Sequence, residues 1–215
     1  MAWDVVLHQL PYLVAALGTT ILVSLLGAIF GQAIGIPLCV ARLSGHAGLA
    51  NAARLYISFF RGVPMLVQLL LLFYLLPFIG LDVPALASAV VALSLASGAY
   101  IAEIYRGALA AIPPGQTEAA ACLGFPAVSV WTRILLPQAV RIGMPSLINE
   151  LIMLIKASSL VSAVGVGELT HASQDLAATT YRPLEMYLTA GCLYLALNLC
   201  LSAAGTLAER RLAPA

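Results

Sequence analysis

The hydrophobic positions of this chain come in long runs, not in the alternation of a half-buried strand or the narrow stripe of a surface helix. A helix needs about 20 apolar residues to cross a hydrocarbon core of about 30 Å. Stretches of that kind occupy 12–41, 61–81, 83–103 and 186–208, and a fifth, 142–167, is apolar except for Glu150 and Lys156. Pro11 is expected to set the start of the first helix near Tyr12, and Asp82 with Pro84 to part the second span from the third. The pattern predicts an all-α membrane protein, a single domain over 1–215 with five transmembrane helices.

Composition supports lipid as the main solvent. Of 215 residues, 62% are hydrophobic and 9% charged, against about 25% charged in an ordinary soluble domain, and the mean hydropathy is +1.01. A soluble enzyme, a secreted disulfide scaffold and a disordered chain are excluded on these grounds. Cys39, Cys122, Cys192 and Cys200 lie in or beside apolar runs with no CxxC pair, so they read as packing thiols. His8, His46 and His171 share no motif, and no metal site is expected. No Lys or Arg precedes Arg42, so the first apolar run lacks the basic start of a secretory signal and is expected to remain as a span.

The net charge of +1 conceals an asymmetry. With the N-terminus outside, the inner segments carry Arg42, Arg54, Arg61, Arg106, Arg133, Arg141, Arg210 and Arg211, and the outer ones only Arg182. The positive-inside rule therefore predicts N-out, C-in. Gly27, Gly31 and Gly35 recur every four residues on one helix face, and Ala85, Ser88, Ala89, Ala92 and Ala96 offer a second small-residue surface. Both suit close helix packing and specify no function.

The segment 104–141 is too long for a hairpin connection. Pro113, Pro114 and Gly115 break the chain, Glu118 opens an Ala-rich run, and Gly124 with Pro126 closes it, which predicts a two-turn helix. A second short helix is expected from about Ala127 to Leu136, ending at Pro137. A surface amphipathic pair and a docking element for a cytoplasmic partner fit this pattern equally.

The residues themselves favour docking. Glu118-Ala119-Ala120, three residues, Gly124, nine residues, Ile134, one residue and Leu136-Pro137 resemble the EAA motif of permease subunits in ATP-binding-cassette importers. Phe60 to Gln68, Ser97 to Glu103, Pro137 to Arg141 and Leu154 to Ser162 resemble segments of the subgroup that imports polar amino acids. Val63 and Ala157 depart from that pattern, where Thr and Asp are common.

The resemblance implies a five-helix permease of the bacterial inner membrane, with a cytoplasmic coupling helix between helices 3 and 4, that moves a small polar solute by alternating access. It implies three kinds of partner: an ATP-binding subunit dimer, a second permease subunit identical or paralogous to this one, and an extracytoplasmic solute-binding protein. It also implies that Glu118, Ala119, Ala120, Gly124, Ile134, Leu136 and Pro137 serve the coupling to the ATPase. No GxxxxGK[ST] phosphate loop occurs, so the chain is not expected to be an enzyme or to hold a cofactor; ATP and Mg²⁺ would sit in the partner.

A charge at mid-membrane costs at least ~2.5 kcal/mol, so Glu150 and Lys156 must face protein or water. Six residues apart, they point about 120° from one another, whereas Asn149 and Lys156 share a face. In one reading Glu150 meets an amino group of the substrate, with Asn149, Lys156, Gln68, Ser158 and Ser159 along the pathway. In the other, Glu150 and Lys156 make inter-helix contacts with Glu103, Gln68 or Arg61, and the serines bond back to their own helix. Arg61 and Arg106 read as snorkelling residues at span ends. The polar segment Glu168 to Glu185 is expected to face the binding protein.

Two other classes remain as alternatives: a channel or secondary transporter, and a membrane-embedded enzyme. Neither explains the EAA pattern, and no nucleophile with an adjacent base is recognisable. No feature suggests nucleic-acid binding.

Overall fold

The computed structural model describes residues 3–212, with side chains over 4–210; the side chain of Arg211, counted above for topology, lies outside the described residues. The chain is helical throughout its ordered elements: α1 (Trp3–Leu43), α2 (Ala47–Gly62), α3 (Met65–Phe78), α4 (Ala85–Ala110), α5 (Gly115–Cys122), α6 (Ala127–Ser129), α7 (Leu136–Ala157), α8 (Leu169–Thr180) and α9 (Pro183–Leu212). Among the described residues four segments are long and apolar enough to span a membrane, and the bent pair α2 and α3, taken as one span, makes five.

Helix α1 is one continuous rod of about 60 Å at 1.5 Å per residue, and Pro11 lies inside it instead of starting it. The expected second span at 61–81 is broken. Pro64 has no N–H to continue the ladder and keeps Val63 extended, so α2 and α3 meet at 107° across Gly62–Pro64. Helix α3, with 14 residues, is too short to cross a bilayer alone.

Another expectation fails at Pro137, where the second loop helix should have ended. A π-helical segment, Val130–Leu135, carries α6 into α7 without interruption, and Pro137 sits in the first turn of α7. The wider π turn makes room for the proline ring. A 3₁₀ segment, Ser158–Val164, then ends α7.

The core is built on α1 against α4. A Cβ added to Gly27 would meet Leu93 at 3.1 Å, one on Gly31 would meet Ser97 at 2.9 Å, and one on Gly35 would meet Ile101 at 2.6 Å. The glycine stripe thus lies along the Leu93, Ser97, Ile101 ridge of α4, spaced four residues like itself, and Gly98 in turn receives Ile34 at 2.7 Å. Ser88, Ala89, Ala92 and Ala96 are buried, as their small size suggested. Leu7, Ile29, Leu55, Phe78 and Leu199 project outward, the surface expected of a bundle solvated by lipid.

Candidate functional site

Two regions gather the residues singled out in the sequence. The first is the loop between α4 and α7. Helix α5 begins after Pro114, whose carbonyl accepts from the Thr117 hydroxyl at 2.7 Å. It ends where Gly124 adopts φ 71°. There the Gly124 N–H donates to Ala121 O at 3.0 Å and the Phe125 N–H to Ala120 O at 3.0 Å, the paired bonds of a left-handed glycine cap.

The seven motif residues divide by orientation. Glu118, Ala119 and Gly124 face outward, whereas Ala120 is 3% exposed and turns onto its own chain. Ile134 and Leu136 are half-buried, and Pro137 is exposed. A hollow of about 220 Å³ between α5 and the π segment is lined by Pro113, Pro114, Thr117, Trp131 and Leu135. Trp131 and Leu135 of the π segment, beside the second half of the motif but not part of it, therefore form the base on which α5 stands. Leu123, Phe125 and Val128 project from this end as exposed apolar groups, a patch that sequence reasoning missed because each lies in a short run with no periodicity.

The second region is a cleft of about 450 Å³ beside the α2–α3 break, where Gln68, Asn149 and Glu150 meet Ser97, Tyr100 and Met153. Ser97 is a residue the sequence did not single out for the pathway. Its hydroxyl is buried with no hydrogen-bond partner, and so is the Gln68 Oε1. The cleft is thus a mostly apolar hollow with one carboxylate and two unused buried polar atoms, a combination that favours a ligand able to donate hydrogen bonds.

Three predicted pathway residues lie apart from it. Lys156 is exposed and makes no ion pair among the described residues. Ser158 donates to Ile155 O at 2.7 Å and Ser159 to Lys156 O at 2.7 Å, so both hydroxyls close on the preceding helical turn.

Glu150 does not pair with Glu103 or Arg61. Glu103 instead collects three arginines: Arg42 at 2.6 Å from α1, Arg106 at 3.0 Å from α4, and Arg61 at 3.8 Å from α2. The guanidinium of Arg61 also lies 5.5 Å from the centre of the Tyr100 ring. Arg61 and Arg106 therefore have a protein partner, Glu103, in addition to their place at span ends. A carboxylate one turn before an arginine was visible in the sequence, but the arrival of two more cations from other helices was not.

Glu168 also departs from expectation. It is fully buried, and its carboxylate caps α8 by accepting from Thr170 N at 2.9 Å and His171 N at 2.8 Å. Tyr194 of α9 donates to it at 2.7 Å, and Thr20 of α1 accepts from the Leu169 N–H at 3.1 Å. Most of the 168–185 segment is accordingly α8, bound to the bundle along Leu169, Ala172, Ser173 and Leu176, with Gln174 and Asp175 left on its exposed face.

Comparison with known proteins bears on the chain as a whole. Residues 33–214 match the family described as binding-protein-dependent transport system inner membrane component. The probable amino-acid ABC transporter permease protein YckA of Bacillus subtilis (strain 168) is 39% identical over 191 residues, covering 89% of this chain and 84% of that one. The arginine transport system permease protein ArtQ of the same organism is 38% identical, covering 95% and 94%. A solved structure described as the crystal structure of an amino acid ABC transporter with histidines superposes with a TM-score of 0.91 at 33% identity, covering 98% of this chain and 99% of the other. The chain belongs to the family of binding-protein-dependent transport system inner membrane components: it is a multi-pass inner-membrane permease subunit of an ATP-driven importer, whose ATPase lies in a separate subunit.

Proposed function

We propose that this subunit carries a polar amino acid through the bilayer as one permease domain of five spans, oriented N-out and C-in, with α5 as the helix that couples it to the ATPase. The observation that carries the coupling role is the geometry of α5. A narrow Ala-rich helix with Glu118 and Ala119 facing outward ends in a glycine cap at Gly124 and is flanked by exposed Leu123, Phe125 and Val128. A small helical face with an apolar rim suits insertion into a groove of a partner. The orientation is supported by the arginines gathered near α5 and at the ends of α1, α2 and α4, which the positive-inside rule favours on the cytoplasmic side. Nucleotide and Mg²⁺ belong to the ATPase partner, and this chain needs no cofactor of its own.

The cleft beside Gln68 is the solute pathway. Glu150 offers a carboxylate to an amino group or a cationic side chain, while Asn149, Gln68 and Ser97 supply neutral polar contacts. Lys156, exposed on the same helix, faces a second permease subunit, and the exposed face of α8 faces the binding protein. An amino acid is the solute suggested by the named relatives.

Affinity purification from mild detergent tests the coupling role, comparing wild type with Glu118→Arg and Gly124→Asp. An ATP-binding subunit should accompany the wild type and be lost from both variants. Retention of the ATPase by both well-folded variants removes the coupling role from α5.

A further inference from the structure

Gln68 serves two places with one planar amide. Its Nε2 donates to the carbonyl oxygens of Phe60 at 2.9 Å and Val63 at 2.7 Å, at the C-terminal end of α2 and in the break that follows. Those two acceptors dictate the orientation of the amide, because only the NH₂ side can answer a carbonyl. The Oε1 is therefore turned away from the joint, and it is buried with no partner. Gln68 is 3% exposed and lines the same cleft as Glu150 and Ser97.

We propose that Gln68 is a positioning residue that ties occupation of the cleft to the geometry of the α2–α3 joint. This rests on the reading of the cleft as the solute site. An ammonium or guanidinium group in the cleft can donate to Gln68 Oε1 and to the Glu150 carboxylate. A donor on the oxygen of an amide strengthens the bonds its NH₂ makes, since hydrogen bonds in a chain polarise one another. Filling the cleft therefore tightens the hold on Phe60 and Val63, and emptying it relaxes that hold. Helix α2 is otherwise fastened to α4, through Tyr56 donating to Leu95 O at 2.8 Å and through Arg61 on Glu103. Helix α3 packs on α4 as well, through Leu69 in the core, so the change at the joint falls on the angle at which α2 and α3 meet.

The test uses the assembled transporter, with its ATPase and binding protein, in lipid nanodiscs. Spin labels are placed at Leu55→Cys on α2 and Tyr74→Cys on α3, both exposed positions, with the four native cysteines replaced. The probes are L-arginine, L-histidine and L-glutamine, and the one that stimulates ATP hydrolysis is carried forward. In the otherwise unaltered permease the probe should narrow the distribution of distances across the joint. Gln68→Glu keeps an acceptor in the cleft and loses both N–H donors. It should keep the half-saturating probe concentration well below that of Gln68→Met, with a broad joint and a depressed maximal rate. Gln68→Met, of similar length, loses both functions and should raise half-saturation roughly tenfold as well.

Two results overturn the inference: a joint indifferent to a probe that stimulates hydrolysis, or equal half-saturation in the two variants, which would leave Gln68 as a helix cap alone. Failure of the solute-site reading looks different. In that case no probe stimulates hydrolysis, or Glu150→Gln and Gln68→Met both leave half-saturation unchanged.

Discussion

A Cβ placed on Gly35 of α1 would stand 2.6 Å from the Cγ2 of Ile101 on α4, closer than two carbon atoms can pack. The central helix pair is thus set by the absence of a side chain at one residue and the bulk of another. Gly35→Leu is expected to destabilise the protein by about 1–3 kcal/mol, the usual cost of overpacking. The apparent melting temperature in detergent measures it. Gly18→Leu, where nothing lies within 4 Å, should melt like wild type, and Ile101→Ala should restore part of the loss in Gly35→Leu.

The buried carboxylate of Glu168 gives a second expectation. Tyr194→Phe removes one hydrogen bond to a charged group, worth about 1.5–3 kcal/mol, and frees the connection between α8 and α9. Amide exchange of Thr170 and His171 should quicken in this variant while exchange in the middle of α4 does not. Unchanged protection at those two amides would contradict the role of Glu168 as an anchored cap.

Around Glu103 the three arginines should not be equal. Arg42→Gln removes the shortest ion pair, at 2.6 Å, from the less exposed partner, and is expected to cost more than about 1 kcal/mol. Arg61 is 3.8 Å away and nearly half exposed, so solvent screening should hold Arg61→Gln below about 1 kcal/mol. Thermal melts of both variants read the difference directly, and an equal loss would mean that the cluster acts as a unit.

In reconstituted vesicles, Glu150→Lys should abolish uptake of cationic amino acids or shift preference away from them, with folding intact by melting temperature. Uptake and selectivity unaltered by this charge reversal would remove Glu150 from the pathway.

Much of this arrangement was legible in the sequence. The apolar runs located α1, α4, α7 and α9, because a helix in lipid has to satisfy its backbone internally and so announces itself by length. The Gly27, Gly31, Gly35 spacing marked the face that meets α4. What stayed hidden depends on partners distant in the chain. Nothing local in the sequence told that Glu168, in a polar stretch, would be enclosed by Thr20 and Tyr194. Nor did a run of apolar residues reveal the turn at Pro64, since hydropathy counts residues and ignores direction. Pro11 and Pro137 look like helix boundaries in the sequence, yet the helical path runs through both, because a long helix or a π turn can absorb one.

The ion cluster also imposes a sequence of events on the growing chain. Arg42 and Arg61 are made well before Glu103, so the first helices form while these cations lack the carboxylate they end beside. Only when α4 arrives does Glu103 draw them together with Arg106. The same guanidinium groups are thus without that partner at first and afterwards form a clasp joining three helices.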